Sequence, residues 1–244
     1  MMNNLDIVIS ARNLTKKFGS FAANKALNFD VYKGEIFGFL GANGAGKTTA
    51  IKILCGLSKP TSGEINVAGF NVYSQTGQIK KNIGYMSQKF SLYEDLTVWE
   101  NIRFYAGIYG MPKKAIQEEA DKLIQKLGFE HARDKLIGAL PLGWKQKLAF
   151  SIAIIHKPAI VFLDEPTGGV DPITRRQFWE LIYEAAHQGI TVFVTTHYMD
   201  EAEYCDRLSI MVAGEIKAIG KPLELINEYE AKNMDEVFVK MARG

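Results

Sequence analysis

Gly41-Ala42-Asn43-Gly44-Ala45-Gly46-Lys47-Thr48-Thr49 is the stretch whose reading decides the fold. It fits G-x-x-G-x-G-K-T, one form of the phosphate-cradling loop pattern. Ile36-Phe37-Gly38-Phe39-Leu40 precedes it, a short apolar run expected of a buried parallel strand. Ile51, Ile53, Leu54 and Leu57 follow at spacings that give a helix one apolar side. Strand, glycine loop and helix in this order are the context the pattern needs. Glycines let the backbone curl so that successive N–H groups point at phosphate oxygens. The helix N-terminus adds a partial positive charge. Lys47 is expected to reach the β- and γ-phosphates, and the Thr48 hydroxyl to ligate Mg²⁺. A dinucleotide fingerprint G-x-G-x-x-G is excluded, because that spacing does not occur and Lys47 would have no task.

Outward from the loop, the bulk numbers narrow the class. The chain of 244 residues suits one large domain or two small ones, and its apolar fraction of 47% can fill a core. A formal net charge of +2 leaves no strong electrostatic footprint for nucleic acid. The basic pairs Lys16-Lys17, Lys80-Lys81, Lys113-Lys114 and Arg175-Arg176 are scattered and read as solvated faces. Cys55 and Cys205 are too few for a disulfide framework and fit small core residues of a reducing compartment. The N-terminus lacks the basic and apolar regions of a signal peptide. The greasiest stretch, residues 148–155, falls far short of the ~20 residues that span a bilayer. The expectation is a cytoplasmic protein, with any membrane contact peripheral.

In chain order, residues 5–10 and 26–32 read as strands, with Leu14-Thr15-Lys16-Lys17-Phe18-Gly19 between them. Leu27, Phe29 and Val31 alternate with Asn28, Asp30 and Tyr32, as in a sheet with one wet face. Turn signals at Pro60-Thr61-Ser62-Gly63 and Gly69 enclose a strand with Ile65 and Val67. Ile83-Gly84-Tyr85-Met86-Ser87-Gln88 is a further strand ending at a glutamine. From about 89 to 157 the pattern is helical. Thr97 and Glu100 form a capping box, Pro112 suits a first helical turn, and Ile116, Ala120, Leu123, Ile124 and Leu127 make an apolar face ending at Gly128. The next helix is apolar nearly all round and should be buried, with Pro158 stopping it. The α/β pattern then resumes. Ile160-Val161-Phe162-Leu163 leads into Asp164-Glu165, and Asp171-Pro172 starts a helix ending near Gly189. Residues 190–196 form a strand that ends at His197. A short helix, a hairpin through Ala213-Gly214 and a helix from Pro222 follow, and the tail 231–244 is weakly patterned.

Three buried strands thus end in polar groups: the glycine loop, Asp164-Glu165 and His197. In a parallel α/β sheet they would converge at the carboxyl edge, where such sheets bind ligands. Asp164 can hold Mg²⁺ through water, and Glu165 can polarise the water attacking a γ-phosphate. His197 can donate to that phosphate, and Gln88 can bridge metal and water. Each carboxylate alone would read as a helix cap or a surface group.

Over essentially its whole length the chain resembles the nucleotide-binding subunit of an ABC transporter. The resemblance rests on the Walker A loop 41–49, the Q-loop at Gln88 and the Walker B strand with Asp164-Glu165-Pro166-Thr167. It extends to the D-loop Gly168-Gly169-Val170-Asp171 and the switch residue His197 in Thr195-Thr196-His197. Tyr85-Met86-Ser87-Gln88 and Thr196-His197-Tyr198-Met199-Asp200-Glu201-Ala202 are similar to the drug-export branch. The resemblance implies an α/β fold: a P-loop NTPase (RecA-like) core with an N-terminal antiparallel β-subdomain and an inserted α-helical subdomain at about 89–157. All of 1–244 would be one ATP-binding domain. It implies ATP and Mg²⁺ as cofactors. Phe18 would stack on adenine, and Asn43, Gly44, Ala45, Gly46, Lys47, Thr48 and Thr49 would hold the nucleotide. Thr48, Gln88 and Asp164 would serve the metal, and Glu165, His197 and Gln88 catalysis. The implied partners are separate transmembrane permease subunits, received around Gln88 and residues 89–110, and a second ATP-binding subunit in a homodimer or heterodimer. No nucleic acid is implied, and the place is the cytoplasmic face of the membrane. A soluble non-transport ATPase of the family and a regulatory or weakly hydrolysing half of an asymmetric motor pair are the alternatives.

One motif departs. The family's signature reads Leu-Ser-Gly-Gly-Gln or close to it, and here its place holds Leu140-Pro141-Leu142-Gly143-Trp144-Lys145-Gln146. Pro141 stands at the serine position and has neither hydroxyl nor N–H. Leu142 replaces the first glycine. The resemblance assigns that serine to the ATP of the opposite subunit, so the departure bears on the partner's site.

Overall fold

The computed structural model describes residues 6–89 and 91–243. Residues 1–5, 90 and 244 lie outside them, and with them the signal-peptide reading, residue 5 of the expected first strand, residue 90 of the expected helical segment and the end of the tail.

The chain opens with β1 (Ile7–Phe18) and β2 (Phe21–Tyr32), an antiparallel pair in which Phe18 faces Phe21 at the tip. These strands run through the segment expected to connect them. Register shifts and the left-handed residues Asn13 and Ala26 (φ 54° and 47°) break the alternation that would have revealed their full length. Next come β3 (Ile36–Gly41), α1 (Lys47–Leu54), β4 (Ser62–Val67), β5 (Phe70–Asn71), α2 (Thr76–Asn82) and β6 (Ile83–Met86). The short helix α2 was not expected; it buries one residue, Ile79, too few for a periodic signal.

The helical segment holds α3 (Val98–Ile108), α4 (Lys113–Leu127) and α5 (Leu142–Ile154). Thr97 Oγ1 accepts from Glu100 N (3.1 Å) and Glu100 Oε2 accepts from Thr97 N (2.9 Å), completing the expected capping box. Gly128 caps α4 at φ 69°. Pro112 is the extended N-cap residue of α4, one place outside the first turn expected for it. Then follow β7 (Ile160–Asp164), α6 (Pro172–His187), β8 (Thr191–Thr196), β9 (Arg207–Val212) and β10 (Glu215–Gly220). The chain closes on α7 (Pro222–Glu228) and α8 (Met234–Arg243). A 3₁₀ turn, Met199–Tyr204, links β8 to β9. The weakly patterned tail is therefore an ordered helix, held by Met234 and Val237 in a cluster with Leu208, Ile210 and Leu225.

Two sheets organise these elements. The first is antiparallel, in the order β2-β1-β4-β5. The second runs β10-β9-β3-β8-β7-β6, parallel from β9 to β6, with β10 antiparallel at its edge. Phe29 from the first sheet meets Phe39 of the second at 5.4 Å, and Phe193 extends this cluster of tilted rings to Phe162 (5.4 Å). α1 is buried in that same core. On the other face of the second sheet, α5 and α6 bury Phe150, Phe178, Trp179 and Ile182. α5 also faces α3 and α4 through Leu148 and Ile152. It packs on two sides, which is why its sequence is apolar nearly all round.

Gly84 allows β6 to approach α5, since a Cβ there would run into the Ala153 carbonyl. Beside it His156 joins three elements. Its ring stacks on Tyr109 at 3.7 Å, Nε2 lies 3.1 Å from the Ile83 carbonyl, and Nδ1 is buried without a partner. Burial pushes this imidazole below its ordinary 6.5, while the bond to Ile83 pulls the other way. The neutral ring suits the folded chain, so its stabilisation is full above about 6.5 and is lost as pH falls through the depressed folded value. Relative to His156→Gln, the wild type should lose thermal stability between pH 7.5 and 5.5. A Tm difference that stays constant over that range would contradict this assignment.

Candidate active site

Strand register brings the polar groups to one edge. Leu40 pairs with Thr196, Asp164 with Thr195, and Leu163 with Met86. The loop after β3, Glu165 after β7, His197 after β8 and Gln88 beyond β6 therefore leave the sheet on the same side. An open cleft of about 450 Å³ lies there, lined by Phe18, Asn43, Gly44, Gly46, Lys47, Thr48, Thr49, Gln88 and Glu165. Gly44 and Gly46 have φ of 80° and 105°, which a side chain would oppose. Gly46 begins α1, and its carbonyl accepts from Asn24 Nδ2 (3.1 Å), tying the loop to β2.

The charges are arranged as a closed set. Lys47 Nζ donates to the carbonyls of Gly41 (2.8 Å) and Ala42 (3.1 Å) and pairs with Glu165 Oε1 at 3.2 Å. Glu165 Oε2 accepts from Gln88 Nε2 (3.0 Å) and lies 3.1 Å from His197 Nδ1. Asp164 Oδ1 accepts from Thr195 Oγ1 (2.9 Å) and Thr48 Oγ1 (3.1 Å). Burial pushes the Asp164 carboxyl above its ordinary value, and those two hydroxyls draw it part of the way back. Glu165 has φ 49°, unusual for a residue with a Cβ, and its N–H is held by Thr195 Oγ1 (3.0 Å).

Of the residues expected from sequence, Ala45 is buried and its N–H donates to Ala42 O (3.1 Å), so it does not line the cleft. Phe18 does, and Lys16 Nζ lies 4.9 Å from its ring centre. Phe21 and Ala23 also line the cleft, and Thr195 orders both acids; sequence reasoning missed all three. Phe21 carried a signal, being placed to pair with Phe18 once the hairpin is closed at 18–21. The altered signature stands apart from this cleft. Pro141 is the N-cap of α5, and Leu142 and Gly143 border a second cleft of about 350 Å³ with Gly169, Val170, Asp171 and Thr174.

Oxygen donors at Thr48, Asp164 and Gln88 suit a hard cation that keeps waters and shares phosphate oxygens, as Mg²⁺ does. Among the described residues no group of three or more His, Cys, Asp or Glu could hold a metal unaided.

An α/β sheet with a Walker loop and two acids at its carboxyl edge defines a P-loop NTPase. The sequence profile of the family described as ABC transporter matches residues 24–168. The chain belongs to the ABC transporter family and is one of its ATP-binding ATPase domains. It is 46% identical over 241 residues to the "Probable multidrug ABC transporter ATP-binding protein YbhF" of Escherichia coli (strain K12), covering 97% of this chain and 42% of that one. It is 37% identical over 220 residues to the "Linearmycin resistance ATP-binding protein LnrL" of Bacillus subtilis (strain 168), covering 89% of this chain and 70% of that one. Among solved structures it superposes with a TM-score of 0.79 and 26% identity on a "Dimeric structure of a post-hydrolysis state of the ATP-binding cassette MJ0796 bound to ADP and Pi", covering 87% and 98% of the two chains. The chain thus spans less than half the length of YbhF.

Proposed function

We propose that this chain hydrolyses Mg-ATP to drive export through a separate transmembrane permease, working at the cytoplasmic face of the membrane. The observation that carries it is the convergence of Lys47, Thr48, Gln88, Asp164, Glu165 and His197 at one sheet edge. The names of YbhF and LnrL support export. Residues 1–244 act as one ATP-binding domain with segment 89–157 as its helical insertion. The face around Gln88 and residues 89–110 receives the permease. Among the described residues no helix is long and apolar enough to cross a membrane.

The closed charge set explains how the site changes hands. An entering γ-phosphate competes with Glu165 for Lys47. Once Lys47 turns to the phosphate, Glu165 Oε1 is free to accept from the attacking water. His197 and Gln88 hold the other oxygen, so the carboxylate keeps its direction. Donating from Nε2 toward the charge developing on the phosphate requires both ring nitrogens of His197 to carry protons, since Nδ1 stays on the carboxylate. Thr48 and Asp164 supply oxygens for the magnesium that ATP carries. Phe18 takes the adenine, with Lys16 at its ring.

A second reading, in which this chain is the weaker contributor to an asymmetric pair, is favoured by Pro141 at the start of α5. Two ATP-binding subunits would close over shared nucleotides, and the dimeric relative supports that arrangement. A serine hydroxyl on a charged phosphate is worth about 1.5–3 kcal/mol, so its loss weakens the partner's site by roughly ten- to a hundredfold. In a Glu165→Gln version, expected to hold ATP unhydrolysed, Pro141→Ser with Leu142→Gly should strengthen ATP-dependent dimerisation by that factor. Light scattering reads it. Equally strong dimers of the unrestored chain would remove the asymmetric reading and leave the homodimer.

A further inference from the structure

Beneath the site lies a buried carboxylate that the chemistry above does not use. Glu201 is fully buried, and its Oε1 accepts from Thr167 Oγ1 at 2.5 Å. Arg175 Nε stands 3.5 Å from the same oxygen as an ion pair. Arg175 also reaches Asp200 through Nη1 (3.2 Å) and lies 4.2 Å from the centre of the Tyr198 ring. Glu201 Oε2, Arg175 Nε and Trp179 Nε1 are buried and make no hydrogen bond of good geometry. Burial pushes the Glu201 carboxyl up, and Thr167 leads the groups that pull it back, with Thr196 and Trp179 standing near enough to contribute.

Such a group is expensive. Taking a carboxylate out of water costs several kcal/mol, and apolar replacements of buried ion pairs are often neutral or stabilising. Stability alone therefore does not account for Glu201. Its partners do suggest a role, because they come from three separate segments. Thr167 belongs to the loop that leaves β7 two residues after Glu165. Arg175 is on α6. Glu201, with Tyr198 and Asp200, belongs to the turn that follows His197. The loop carrying one reacting group is thus pinned directly to the turn carrying the other.

We propose that Glu201 is a positioning residue for ATP turnover: through Thr167 and Arg175 it clamps the loop after Glu165 to the turn after His197 and so keeps those two side chains 3.1 Å apart. This rests on the roles proposed above for Glu165 and His197. The clamp works at a distance from the nucleotide, since neither Thr167 nor Glu201 lines the cleft. Loosening it misplaces the water-orienting carboxylate while leaving the phosphate loop intact.

The test is made on the full chain with steady-state ATP hydrolysis. Thr167→Val keeps the shape and removes the hydroxyl, and Thr167→Ser returns it. The valine variant should lose about ten- to a hundredfold in kcat with KM for ATP held within about twofold, and the serine variant should recover most of the loss. Placed on His197→Ala, Thr167→Val should cost little more, because the contact it protects is already gone. Wild-type kcat in Thr167→Val would overturn the proposal. So would a loss just as large on His197→Ala, or one that serine does not repair. If Thr167→Val fails to fold, Arg175→Lys is measured at its more accessible position. It should lower kcat at constant KM, and wild-type kcat there overturns the clamp. Full turnover in His197→Ala would instead remove the role of His197 and the clamp with it. Impaired His197→Ala beside an unimpaired Thr167→Val would remove the clamp alone.

Discussion

Glu165→Gln is expected to bind ATP at least as tightly as the wild type and to lose about 10²- to 10⁴-fold in turnover, the range for removing a positioned base. Glu165 has two oxygens and three donors on them: Lys47, Gln88 and His197. Glutamine offers one oxygen and one NH₂. That NH₂ meets at least one group that can only donate, Lys47 or the Gln88 amide as it is oriented here, so the side chain cannot keep its place. It also carries no charge with which to polarise water. Affinity moves the other way. In the wild type an incoming phosphate must take Lys47 from a carboxylate 3.2 Å away, with both side chains almost fully buried. Glutamine removes that competition. Phosphate release and equilibrium binding of a fluorescent ATP analogue separate the two effects. Wild-type turnover beside intact binding would sink the role assigned to Glu165.

Lys47→Ala should weaken nucleotide binding strongly. Each charge-assisted contact to the β- or γ-phosphate is worth about 1.5–3 kcal/mol, so two of them predict at least a hundredfold increase in Kd. The same substitution should also lower stability, because it leaves the Glu165 carboxylate buried without its cation. Breaking a buried pair in this way costs about 3–5 kcal/mol, or about 6 °C or more in Tm for a chain of this size. Adding Glu165→Gln to Lys47→Ala should then recover part of the lost Tm without recovering affinity. Calorimetry and nucleotide titration of the three variants check both halves. An unchanged Kd in Lys47→Ala would refute the role given to the lysine. An unchanged Tm would mean that the pair at 3.2 Å carries no net stability in the nucleotide-free chain.

Much of this was legible before any coordinates. The glycine loop, its flanking strand and helix, and the acids and histidine at strand ends are local features. Each is written within a dozen residues, in patterns whose physical basis is local: backbone freedom at Gly44 and Gly46, buried apolar runs, and the caps at Thr97 and Asp171. The same locality hid other parts. The first two strands read short because register shifts and two left-handed residues interrupt their alternation. The helix α8 looked unpatterned, although Met234, Val237, Phe238 and Met241 stand at i, i+3, i+4 and i+7. The burial that gives those residues their meaning comes from β9 and the 3₁₀ turn before it, several elements back in the sequence, as well as from the adjacent α7.

The sequence by itself determined which groups would meet and at which edge, because strand polarity and an apolar run fix where each chain segment leaves a parallel sheet. Only the tertiary structure decided how those groups hold one another. Lys47 turns back to Gly41, Ala42 and Glu165, Thr195 orders both acids from a neighbouring strand, and Glu201 ties Thr167 to Arg175 across three segments. These are contacts between residues up to 118 positions apart, as from Lys47 to Glu165, set by distances of a few tenths of an ångström and by exclusion of water. A pattern of residue types along one chain carries no record of either.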